Sequence, residues 1–103
     1  MPMFYFIFEA QPKPTNPEFG KYAGATVSYW IQRETQAEAA AVAHGWIGDE
    51  DWRITAMEYA ALITKETQLP DGMRYFEQAK IDGEVFVFYT FPVGAKNDEA
   101  NAS

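Results

Sequence analysis

His44 is the one histidine in the chain and the first residue to weigh for proton transfer, because imidazole titrates near neutrality. A general base also needs a nucleophile or an orienting carboxylate at a workable spacing, and the sequence supplies neither. A surface or rim position beside an apolar helix stripe explains it better. Asp49-Glu50-Asp51 offers oxygen ligands for a hard cation. It lacks the spaced carboxylates, central glycine and distal glutamate of a calcium loop, so a solvated turn after a helix accounts for it. Gly20-Lys21 with Gly24 lacks the spacing of a phosphate-cradling loop, and no helix follows to aim its amides at an anion. With no cysteine and a single histidine, thiolate and multi-histidine metal sites within one subunit are excluded. No catalytic, metal or cofactor residue is assigned.

Trp30 carries the remaining chemistry. It alternates with Thr26, Ser28 and Gln32 along one face of a predicted strand, and aromatic walls with a few polar groups typify small-ligand sites. Ser28, Trp30 and Gln32 are therefore the candidate ligand pocket. For Trp30 as for Trp46, Trp52 and Tyr29, core packing between helix and sheet is the simpler explanation, and the polar companions of Trp30 keep the pocket as the minority reading. Arg33, Arg53 and Arg74 have Glu34, Glu58 and Glu77 available as surface partners, each pair worth little.

Two strands dominate the elements that must position these residues. Near the start, Phe4, Phe6 and Phe8 alternate with Met3, Tyr5 and Ile7. Near the end, Val85, Val87, Tyr89 and Phe91 alternate with Phe86 and Phe88. Runs apolar on both faces imply cover on both faces. Pro12, Pro14 and Pro17 make the next segment an extended loop, and Ala25 to Glu34 a second strand, antiparallel to the first. Thr35 to Glu38 is a capping box: the Thr35 hydroxyl accepts from the amide of residue 38 while Glu38 reaches back to the amide of Thr35. The helix that follows buries Ala39, Val42, Ala43, Trp46 and Ile47 and ends at a left-handed Gly48.

Trp52 to Met57 alternates as a strand, while Ala56, Tyr59, Ala60 and Ile63 also fit a helical stripe. Pro70-Asp71-Gly72 marks a turn. Met73 to Ile81 reads as a second helix capped by Asp71 and closed by Gly83, against a competing hairpin at Asp82-Gly83. The last strand spans Glu84 to Phe91.

The expected architecture is α+β: a two-layer sandwich of about four mainly antiparallel strands with two helices on one face. The order ββαβαβ resembles a rearranged split β-α-β layout, a ferredoxin-like variant. One domain is expected over 1–94 and a disordered acidic tail over 95–103. Such a sandwich leaves one sheet face bare, so Phe4, Phe6, Phe8, Phe86 and Phe88 become a candidate interface for a second copy or a protein partner.

Fifteen acidic against eight basic residues give a formal charge of −7, which opposes nucleic acid and anionic membrane surfaces. Such acidity is ordinary for bacterial-type cytosolic domains. The opening MPMFYFIFEA has no lysine or arginine and is too quickly interrupted for a signal peptide, and no apolar run is long enough to span a bilayer. A cytoplasmic protein is expected. The functional expectation is a non-enzymatic protein-binding or self-associating domain, of the inhibitor or immunity-type regulator class. The alternative is a small-molecule-binding or weakly catalytic dimer with a cavity near Trp30.

Overall fold

In the computed structural model, which describes residues 1–93, β1 (Met3–Pro12) lies between β2 (Tyr22–Gln32) and β3 (Trp52–Ile63), and β4 (Glu84–Pro92) flanks β2. All three pairings are antiparallel, in the order β3-β1-β2-β4. α1 (Gln36–Asp49) joins β2 to β3. A 3₁₀ turn at Pro70–Gly72 leads into α2 (Met73–Asp82), which joins β3 to β4. The fold is α+β with an open antiparallel sheet and two helices. The tail expected over 95–103 lies outside the described residues.

β1 is an interior strand, as its double-sided apolar run requires. Successive side chains point to opposite faces. On one face Phe4, Phe6 and Phe8 meet Val27, Tyr29 and Ile31 of β2 and Ala39, Ala43 and Ile47 of α1. On the other, Met3 and Trp30 meet Phe76 and Ala79 of α2, flanked by Ile63, Val85 and Val87. The helices therefore cover opposite faces, and the layers are α1, sheet, α2.

This corrects the two-layer expectation with both helices on one side. Each helix has only a narrow apolar stripe, and both sheet faces are apolar, so dividing the helices buries more of the sheet than doubling them up. One molecule can thus shield both sides of its central strands. The candidate interface residues are corrected with it. Phe4, Phe6 and Phe8 are 7%, 0% and 0% exposed beneath α1, and Phe86 and Phe88 are half-buried against the same cluster. Phe4, Phe6 and Phe8 form core within this chain, and Phe86 and Phe88 keep only part of their surface free.

Several local expectations shift. The Thr35 hydroxyl accepts from the Glu38 amide at 3.1 Å, but the Glu38 carboxylate receives the Thr35 hydroxyl (3.3 Å) instead of its amide. α1 continues past Gly48, and the left-handed position falls at Asp51 (φ 64°), a residue type that tolerates it. Asp51 also anchors the proline loop, its carbonyl accepting from the Lys13 amide at 2.9 Å and from Asn16 Nδ2 at 3.0 Å. Gly72, not Asp71, precedes α2, without a side-chain cap, while Gly83 (φ 93°) ends that helix as its permissive backbone suggests.

β3 runs unbroken to Ile63. Its register against β1 shifts twice, so that Glu58 and Thr55 are extra residues without an opposite number. The arginines also find other partners: Arg33 pairs with Glu84 at 3.2 Å, Arg53 donates to Gln11 Oε1 at 3.0 Å, and Arg74 lies over the Tyr75 ring. Among the described residues no helix is long and apolar enough to cross a membrane.

Candidate functional site

Ten residues of α2 make a helix about 15 Å long, while strands of nine to twelve residues run about 30–40 Å. The helix cannot cover its whole face of the sheet. Register fixes what it leaves uncovered. Trp30 stands opposite Tyr5 and Val85; Ser28 stands opposite Ile7 and Val87; Ile7 stands opposite Tyr59, and Thr26 opposite Tyr89. These cross-strand rows floor a cleft of about 460 Å³, walled by the segment from Thr67 to Gly72 and by Tyr75. That volume lies within the usual range for small-ligand sites.

Trp30 is the fixed point of the cleft. It is 3% exposed, its ring held between Tyr5 (centroids 4.8 Å apart) and Tyr75 (5.0 Å). Its indole N–H donates to Gln68 Oε1 at 2.9 Å, and Gln68 Nε2 donates to the Leu69 carbonyl at 3.0 Å. One glutamine thus straps the connecting loop to the sheet. Gly72 permits that approach: a methyl there would collide with the Gln68 amide and lie 3.1 Å from Trp30 Cζ2. Behind them, the Tyr5 hydroxyl donates to Ser28 Oγ at 3.3 Å, which gives the buried serine a partner.

Of the three residues expected in a pocket, Ser28 and Trp30 line the cleft and Gln32 does not. Gln32 lies at the strand end, where its Nε2 donates to the Met1 carbonyl at 3.5 Å. Trp52 and Tyr29 belong to the α1 face, and Trp46 packs at the rim against Phe86. Sequence reasoning missed Tyr5, Tyr59, Tyr75 and Tyr89. A signal existed: the face closed by α1 takes five of its rings as phenylalanine, whereas the cleft face uses tyrosine, whose hydroxyl needs water or a partner.

Among the described residues, the lining holds one charged side chain, Asp71, and no lysine, arginine or histidine. A second hollow of about 410 Å³ continues along the same face between Glu9, Gly24, Thr55 and Phe91. There the Glu9 carboxylate accepts from Thr26 Oγ1 at 2.7 Å. His44 lies exposed on α1, edge-on to Phe8 at 5.5 Å, on the opposite side of the sheet from the cleft. Asp49, Glu50 and Asp51 do not converge. Among the described residues no group of three or more His, Asp or Glu is placed to hold a metal ion. The arrangement is one for seating a ligand on aromatic surface, with hydroxyls and one carboxylate to orient it. Comparison with protein-family models, with curated proteins and with solved structures found no significant match.

Proposed function

We propose that this chain is a binding domain that seats a small organic molecule in the cleft between α2 and the sheet. The observation that carries the reading is the cleft itself: a roomy, tyrosine-lined hollow whose floor is locked by the Trp30–Gln68 hydrogen bond. Rigid aromatic walls lose little entropy on binding, which favours affinity.

A thermal-shift screen of a metabolite library tests it. A true ligand at about a hundred times its Kd adds about 2.7 kcal/mol and raises Tm by about 10–20 °C. Gly72→Ala should abolish most of that rise, because its methyl drives Gln68 off the indole. The same variant should still fold, at a cost of about 1–2 kcal/mol, since the indole N–H left without a partner is only partly offset by the stiffer unfolded chain. A library that leaves Tm unmoved at millimolar concentration would overturn the reading.

A second reading, self-association, is favoured by the β4 edge. From Val85 to Phe91 this strand has no charge and no proline, whereas the opposite edge, β3, is broken by two register shifts. The Gln32 amide donates to the Gly83 carbonyl at 2.9 Å, and antiparallel pairs alternate, so the amides of Phe86, Phe88 and Thr90 point away from β2. A two-fold axis at Phe88 would join two such edges into one continuous sheet. Sedimentation equilibrium should then give a dimer, and Thr90→Pro a folded monomer, because it removes an outward donor and no ladder bond. A native chain that sediments as a monomer at every concentration sinks this reading.

A further inference from the structure

We infer that the ligand of the cleft is an organic cation, an alkylated ammonium about the size of choline. The inference rests on the proposed ligand-binding role and adds the chemical class. Every aromatic ring in the lining is tyrosine or tryptophan: Tyr5, Trp30, Tyr59, Tyr75 and Tyr89. The electron-rich faces of such rings attract a cation, most strongly where water is partly excluded.

The rings are not all equally available. Trp30 is closed off between its two neighbours, and the outer face of Tyr75 is occupied by Arg74, 4.7 Å from the ring centroid. That pair is already a cation on an aromatic ring within this chain. Tyr5 and Tyr59 meet at 5.8 Å with planes inclined by 58°, which makes a corner of two ring faces, and Tyr59 and Tyr89 are 47% and 51% exposed. Asp71 supplies the lining's one formal charge, and it is negative.

An anion would find no positive side chain in the lining, and a neutral ligand would leave the Asp71 charge without a counter-charge. The net charge of −7 raises the local concentration of cations further. A cation with a methylated surface satisfies the rings and the carboxylate together.

The test follows the Trp30 indole N–H resonance of the full chain during titration with choline and, separately, with its uncharged shape match, 3,3-dimethylbutan-1-ol. Choline is expected to bind about five- to thirty-fold more tightly than the alcohol. Asp71→Asn and Tyr59→Leu should each weaken choline several-fold and leave the alcohol unchanged, whereas Tyr59→Phe, which keeps the ring face, should bind choline nearly as well as the native chain. Both positions are exposed, so folding is not at stake. Equal binding of choline and alcohol overturns the cationic class and leaves the cleft reading standing. Binding of neither, in a protein whose indole resonance does respond to neutral aromatics such as phenol or indole, does the same. Silence towards all of these probes overturns both.

Discussion

Phe6→Ala is expected to cost about 3–5 kcal/mol, the largest loss from any single truncation considered. Phe6 is fully buried, stacks on Phe8 at 5.4 Å between centroids, and lies between Tyr29 of β2 and Ala60 of β3 under α1. Its removal opens a ring-sized void at the centre of the sheet, where neighbours on both sides hold the backbone and hinder collapse. Domains of this kind have about 5–15 kcal/mol in total, so the variant should melt well below the native Tm and at a much lower urea midpoint. Leu62→Ala makes the control. Leu62 is 59% exposed on the same face of the sheet, beyond the helix, and should change stability by about 0.5 kcal/mol or less. If Phe6→Ala instead unfolded at the native midpoint while altering assembly, α1 would not lie on this face.

The second large effect belongs to Tyr29, Glu84 and Arg33. The Tyr29 hydroxyl, buried beneath the Phe86 ring, donates to Glu84 Oε2 at 2.5 Å, and Arg33 Nη2 holds the other carboxylate oxygen at 3.2 Å. Glu84→Ala should cost about 1–3 kcal/mol, because it leaves that hydroxyl without a partner and Arg33 without its anion. Glu84→Gln keeps an acceptor and should cost less. Burial first, then the hydrogen bond to Glu84 and the nearby negative charge, push the Tyr29 phenol well above its ordinary value. A pKa raised on folding means that the folded state resists losing the proton. The associated stability is complete below about pH 10, where unfolded tyrosine is still neutral, and is lost as pH climbs beyond it. Urea midpoints measured from neutrality to about pH 12 should fall in the native chain and fall less in Tyr29→Phe. An identical alkaline decline in both proteins would remove Tyr29 from the account.

Much of this was legible in the residues. The two-sided aromatic run at Met3 to Phe8 identified a strand with cover on both faces, and Thr35 and Gly83 marked a helix start and a helix stop by side-chain and backbone chemistry that acts locally. Ser28 and Trp30 could be grouped because alternation puts them on one face of one strand. What lay hidden depended on distant segments. Nothing local says which face of the sheet a helix crosses, so neither the number of layers nor the cover over the phenylalanines can be read from the residues alone. β3 was ambiguous beyond Met57 for a definite reason: Thr55 and Glu58 interrupt its period of two, and the apolar residues that remain drift towards the spacing of a helix. The wall of the cleft, Gln68 to Tyr75, comes from a turn placed by tertiary contacts, the Gln68 bond to Trp30 and the stacking of Tyr75 on the same ring.

The order of the strands bears on how the chain is made. During synthesis β1 and β2 emerge first, yet they end as the two inner strands, flanked by segments that follow later. Until α2 has left the ribosome, the hairpin carries Met3, Tyr5 and Trp30 with no helix to lay over them. The nascent protein is therefore stickiest after β2 has emerged and before α2 has, and slowing elongation between α1 and α2 prolongs that exposure.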